Sequence, residues 1–402
     1  MANNPCLLSL FSLVFLATVS LAQRPFFPRA IVIPVSKDFP TSQYVAELQM
    51  GYNLAPLKLV VDVGGPFLWA DWASSSQGST IPCGSLKCSM ANPKGCTSGA
   101  SNEICDLQFE NPVSKLAGSG VLKEDTIAVE LIDEPNAGSF LSHVPNFLFS
   151  FVPSFLFQGL GNGVNGVLGL GNSRISLPSQ LANTFGIPRK FAVCLSSSNG
   201  AIISGDTTYD VSRSMMYTPL ISPQNGTTQE YYINVKSIKI NDRKIPLNTS
   251  LLFLDQEVEG GTRISTVVPY TTMKTTIYQP FLDSYLETAA SMGLSRVDPV
   301  APFEACFKVV GSDVVPRVEF VLQSEMVKWR MNAMVKVGDG VMCLGFLDGG
   351  LGQGASVVIG GYQLEDNLLE FNLGTSMLGF TSLMGGTGCS SFTRSSRDRD
   401  SA

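Results

Sequence analysis

The sequence predicts an all-β chain built of two similar lobes, and three observations predict it. Gly (38 residues) and Pro (23) are plentiful while charged residues are only 15%, a balance that favours many short strands and turns over helices. An apolar run, Leu59-Val60-Val61, delivers one carboxylate, Asp62, into the turn Val63-Gly64-Gly65 and resumes as Phe67-Leu68-Trp69. Far along the chain Thr262-Arg263-Ile264-Ser265-Thr266-Val267 repeats that shape without the acid. Each half then carries an apolar-apolar-Gly string, Val167-Leu168-Gly169 and Val358-Ile359-Gly360, 107 residues after Asp62 and 95 after Ser265. Alone, Asp-x-Gly reads equally well as a tight hairpin with a solvated acid. Its recurrence with a matching partner points instead to duplication of a whole β lobe.

Residues 1–22 read as a signal peptide: the chain is apolar from Leu7 to Leu21 and closes on Ser20-Leu21-Ala22, with small residues where a signal peptidase reads. The run is too short to span a bilayer and no later segment reaches that length, so a soluble, secreted protein without a membrane segment is expected. A net charge of −6 gives no reason to expect nucleic acid as a partner. Ala30–Val35 and Gln43–Met50 alternate like strands, with Pro34 placing the first near an edge. A Ser/Gly-rich cysteine loop follows from Ser74 to Cys105. Glu110 to Val129 reads as a hairpin turning at Gly118-Ser119-Gly120, and Phe147 to Phe157 as a buried aromatic run. Gly166-Val167-Leu168-Gly169-Leu170-Gly171 lacks the Lys-Ser/Thr of a phosphate loop and reads as a close-packed apolar turn. Ser176 caps and Pro178 starts a short helix. In the second half Glu230 to Ile240 reads as strand, Pro269 opens a helix over Thr271–Met292, and Ser356 to Ile359 is a strand. The polar tail beyond Cys389 is expected to be disordered.

Eight cysteines remain once Cys6 leaves with the signal peptide, an even number in an oxidising compartment. Two bridges are expected among Cys83, Cys88, Cys96 and Cys105, whose spacing without a nearby His argues against zinc. Cys306 with Cys343, and Cys194 with Cys389, are the expected remaining pairs, although the spacing alone leaves every pairing open. Asn225 and Asn248 head acceptor sequences for N-glycosylation in polar stretches. His143, the single histidine, sits in a strand-like context and reads as structural. The paired acids Glu124/Asp125, Asp133/Glu134 and Glu365/Asp366 read as solvated charges pointing apart. No metal-ligand cluster and no cofactor motif is present.

Two β lobes, each with the turn and the apolar-apolar-Gly strand, resemble the pepsin-like aspartic proteinases over nearly the whole mature chain. More narrowly, Val61-Asp62-Val63-Gly64-Gly65, Gly261 to Thr266, Pro269-Tyr270 and Ile359-Gly360-Gly361-Tyr362-Gln363-Leu364-Glu365-Asp366-Asn367 are similar to the plant extracellular dermal glycoprotein, xylanase inhibitor and basic 7S globulin group. The resemblance implies a bilobal double β-barrel with a central cleft and a few short helices. It divides the chain into a signal peptide (1–22), an N-terminal lobe (23–215), a C-terminal lobe (216–389) and a tail (390–402).

Members of that group are generally inactive relatives of the protease, and the residues agree. Aspartic proteolysis needs two carboxylates sharing a proton. Here Asp62 holds the first position and Ser265 the second, so Asp62 is expected to titrate as a single group. Around them Val63 replaces a bracing hydroxyl residue, Val267 stands in place of a glycine and should crowd the cleft, and Gly64 and Thr266 complete the remnant turns. No tyrosine occurs in the flap region Pro112 to Thr126. The resemblance implies a monomeric plant defence protein of apoplast, cell wall or storage vacuole that inhibits a microbial glycoside hydrolase: a xylanase, xyloglucanase or β-glucanase. Where the inhibitor branches carry Arg or His before the last cysteine, this chain reads Leu383-Met384-Gly385-Gly386-Thr387-Gly388-Cys389, and Tyr362 replaces a frequent His; the segment Lys336 to Asp348 is an alternative contact. Relatives also have cysteines where this chain has Trp72 and Phe151, an exchange of a bridge for an aromatic pair. Binding of a peptide or hormone in the old cleft is the second reading, and weak residual endopeptidase activity the third.

Overall fold

The computed structural model describes residues 30–71, 78–91, 104–132, 139–205, 214–221, 228–255, 259–309, 314–383 and 388–389. The signal peptide, the tail, Trp72, Cys96, Asn225 and the Asp133/Glu134 pair lie outside the described residues. Nineteen strands join in one hydrogen-bonded system running through both halves, and two four-stranded sheets belong to the second half. Alternation builds these strands: in Gln43–Met50, Tyr44, Ala46, Leu48 and Met50 are buried while Glu47 and Gln49 face out.

The duplication is visible in the ladders. Leu59–Asp62 runs parallel to Gly166–Gly169 with Asp62 opposite Gly169. Thr262–Ile264 runs parallel to Val357–Ile359 with Ile264 opposite Ile359. Trp69–Ala70 then pairs antiparallel with the Gly166 strand and parallel with Ser150–Phe151. Thr271–Met273 does the same with Val357–Val358 and Phe346–Asp348. The repeated glycines serve close backbone approach: a Cβ at Gly169 would lie 2.4 Å from Phe67 O, and one at Gly360 2.3 Å from Tyr270 C. The halves are joined where Lys190–Cys194 pairs with Leu368–Asn372, and Met216–Pro219, at the start of the second half, continues that sheet by pairing with Met377–Phe380.

Local departures have local causes. The hairpin turns at residues 111–116, not at Gly118-Ser119-Gly120, which lie inside the strand Ala117–Ile132. Asn111 makes that turn, its Oδ1 accepting from Val113 N at 2.9 Å and Ser114 N at 3.1 Å, while Gly120 leaves room for Ser150 and the Phe151 carbonyl. Pro34 is not at an edge. It opposes Ala201 on one side and on the other falls between the ladders to Leu131 and Ala46, where no N–H is needed. The long helix is Thr275–Ser291, because Thr271–Met273 is captured by the sheet. Glu230 to Ile240 is split into Tyr232–Ile233 and Ser237–Ile240. Ser176 stands at the start of the helix Leu177–Phe185, but its hydroxyl donates to Ser173 O instead of capping.

Disulfides join Cys88 to Cys105, Cys194 to Cys389 and Cys306 to Cys343, and Cys83 is also bridged. Phe151 packs under the Lys123 ammonium, 4.9 Å from its ring centre.

Candidate functional site

The two turns meet at the junction of the halves, and one hydroxyl ties them. Thr266 Oγ1 donates to Val61 O at 2.5 Å and accepts from Val63 N at 3.2 Å. Val63 is buried in the main core. Val267 is buried too, in the cluster of Val60, Phe67, Trp69 and Val167, where its apolar side chain is worth more than against solvent.

One residue beyond the Ile264–Ile359 pair stand Ser265 and Gly360, at the register held by Asp62 and Gly169 in the first half. Ser265 Oγ accepts from Val267 N at 3.3 Å and Val268 N at 3.2 Å, closing its own turn. Asp62 Oδ1 accepts from Gly64 N at 2.9 Å. Burial pushes the Asp62 carboxyl up to about 6; the Gly64 amide holds it down, Glu230 adds to the rise, and Arg263 and Lys115 oppose it.

Glu230 is the site residue that sequence reasoning missed. A methyl group at Gly64 would touch both acids, 3.1 Å from Glu230 Cγ and 3.6 Å from Asp62 Oδ1. Asp62 therefore titrates in the field of a second carboxylate, although that carboxylate lies far from Ser265 in the chain. Arg263 pairs with Glu230, and the Thr228 and Tyr232 hydroxyls donate to its Oε2 at 3.2 and 3.3 Å. Only its place before the strand Tyr232–Ile233, which pairs with Thr262–Arg263, could have signalled it. The hairpin bearing Lys115 covers the expected flap region, and Lys115 lies 3.4 Å from Glu110.

Other candidates stand apart from this site. His143 is exposed in mid-strand opposite Ala128. Glu124 pairs with Lys87, and Asp125 Oδ1 accepts from Thr126 N at 2.8 Å. Glu365 is not a solvated charge: it is buried, 2.8 Å from Lys37 Nζ, and accepts from Tyr44 OH at 2.9 Å. Tyr362, over whose ring Lys37 also lies, donates to Met334 O at 2.6 Å. Asn248 is exposed and accepts from Ser250 N at 3.1 Å. Within residues 336–348, the strands Met334–Gly338 and Val341–Leu344 form a hairpin anchored through the Cys306–Cys343 bridge, while Phe346–Asp348 passes into the large sheet beside Thr271–Met273. Among the described residues no group of three or more His, Cys, Asp or Glu side chains is placed to hold a metal.

Comparison with known proteins gives two adjoining family matches, "Xylanase inhibitor N-terminal" over residues 44–206 and "Xylanase inhibitor C-terminal" over residues 230–382. A relative from Nicotiana benthamiana, probable aspartic proteinase GIP2, is 40% identical over 98% of this chain and 99% of its own. Gamma conglutin 1 of Prunus dulcis is 39% identical over 96% of this chain and 95% of its own. The crystal structure of EDGP superposes with a TM-score of 0.85 at 40% identity, over 92% of this chain and 99% of that one. An aspartic proteinase from Irpex lacteus, at 12% identity and a TM-score of 0.58 over 91% of this chain and 100% of that one, shares the pepsin-like fold.

Proposed function

This chain belongs to the xylanase-inhibitor-like family of pepsin-fold proteins, with the gamma conglutins and basic 7S globulins, and on that premise we propose that it is a secreted, proteolytically silent inhibitor of microbial cell-wall glycoside hydrolases. The observation that carries the silent half of this reading is Ser265 at the register position of Asp62. A hydroxyl that accepts two backbone amides is no partner with which Asp62 could share the proton of an aspartic dyad. Glu230 does not replace it, because Arg263 and two hydroxyls already engage its carboxylate.

Inhibition then rests on a rigid scaffold presenting loops of the second half to the hydrolase cleft. The hairpin around Asp339 and Gly340 suits this, since Lys336 is exposed on one strand and a disulfide bridges the other to its neighbour. The test is an inhibition titration of the purified protein against microbial xylanases, xyloglucanases and β-glucanases, with digestion of an unfolded protein at acid pH as control. Saturable inhibition of any member, abolished by Lys336→Glu, is the expected result. No inhibition across the panel overturns it.

Asp62 itself favours a second reading, a cleft that takes a peptide. A half-buried carboxyl in a turn that no longer cleaves can still anchor a basic group. Calorimetry with basic peptides should then give saturable binding that Asp62→Asn weakens, and a flat titration dismisses the idea.

A further inference from the structure

The second half carries a four-stranded sheet whose two faces differ sharply in chemistry. Its strands are Arg243–Lys244, Ser237–Ile240, Val318–Val321 and Lys328–Met331, side by side in that order. Ile238, Ile240, Val318, Phe320, Trp329 and Met331 fill the inner face and are buried. On the outer face Lys244, Lys239, Glu319 and Arg330 stand opposite one another in one row across all four strands. Strand spacing places neighbours in such a row about 5 Å apart.

The carboxylates on and around this face are already engaged. Glu325 holds Lys239 at 2.5 Å, Asp242 takes Arg317 at 3.0 Å and Lys328 at 3.6 Å, and Glu319 lies 3.9 Å from Lys328. Lys244 and Arg330 are exposed, and among the described residues no carboxylate lies within ion-pair reach of either. The surplus is therefore positive, on a chain whose net charge is −6. Scattered surface charge keeps a protein soluble; one sign concentrated on a flat face attracts a polyanion.

The chemistry of the face narrows the choice of polyanion. It has no exposed aromatic, since Trp329 and Phe320 are turned inward, so nothing there stacks on bases. Nor does it offer the apolar centre of a protein interface. What it does offer is two exposed cations, Lys244 and Arg330, at the ends of a row that Lys239 and Glu319 complete, with Lys328 beside them: a net positive strip for an extended chain of carboxylates.

We propose that this face is a docking surface for a linear polyuronate, an acidic polysaccharide bearing one carboxylate per sugar ring. The attraction is electrostatic and releases counterions, so it weakens steeply with salt. It is independent of inhibition, and the two properties together would hold an inhibitor in a wall whose neutral polymers its target enzymes attack.

The test is binding of the purified protein to unesterified polygalacturonate by calorimetry, at neutral pH and at low and raised salt. The same polymer in fully methyl-esterified form, and polyglutamate, serve as comparators. Saturable binding to the free acid alone, lost at raised salt, is expected. The Lys244→Glu/Arg330→Glu variant should bind about tenfold more weakly or worse, while Arg296→Glu/Lys308→Glu, which changes net charge equally on another sheet, should bind as the parent does. If the reversal fails to fold, Lys244→Gln/Arg330→Gln makes the same comparison. Absence of binding, equal binding of the ester or of polyglutamate, or equal loss in the control variant would each overturn the proposal.

Discussion

Asp62 shows how burial and neighbouring charges reshape a single carboxyl. With Ser265 opposite and Glu230 beside it, its carboxyl is raised from an ordinary 3.8 to about 6, chiefly by burial. The folded chain thus holds this proton more tightly than the unfolded chain does. The contribution of Asp62 to stability is most favourable below pH 3.8 and declines as pH rises to about 6, above which its ionised form costs at most about 3 kcal/mol, less whatever solvent contact screens. Asp62→Asn keeps an oxygen for the Gly64 amide and removes the charge. Its melting temperature should exceed that of the parent at about pH 7.5 and match it at about pH 4. An equal difference at both pH values would mean that this carboxyl is not perturbed in the fold.

At the scale of elements, the paired turns have become asymmetric. Val63 and Val267 have gone into the two apolar clusters, leaving Thr266 as the one hydroxyl that ties the turns. Thr266→Val keeps the shape, removes both hydrogen bonds and should cost about 1–3 kcal/mol in urea unfolding, because the Val63 amide loses its acceptor in a dry site. No measurable loss would mean that backbone pairing alone holds the turns. The hairpin at Asn111 teaches a related lesson about turn signals. Gly118-Ser119-Gly120 is the more obvious turn string, yet the side chain of Asn111 binds four backbone groups, Val113 N, Ser114 N, Leu156 O and Gln158 O, and draws the bend to itself.

Across the whole molecule the halves are held by shared sheet, by the Cys194–Cys389 bridge spanning 195 residues, and by two largely buried ion pairs, Lys37–Glu365 and Lys190–Glu370. Lys37 comes from the first strand and Glu365 from the segment after Ile359-Gly360, with Tyr44 donating to the same carboxylate. Lys37→Met would strand Glu365 without its cation and should cost about 3–5 kcal/mol, several times the effect of Tyr44→Phe, in denaturant melts. Similar losses for the two would assign the stability to packing. Nothing in the text of the chain announces this pair, for Glu365-Asp366 reads as a solvated doublet until folding brings Lys37 to it across 328 positions. Glu230 beside Asp62 escaped sequence reasoning for the same reason. What the sequence by itself determined is whatever local chemistry encodes: the repeated turn and apolar-apolar-Gly strand, hence the duplicated lobe, and a serine in the second turn at the register of Asp62 in the first. What only the tertiary structure decided is which distant charges share a buried space. Periodicity is written in neighbouring residues, whereas the field at a carboxyl depends on every charge that the fold places within a few ångström of it.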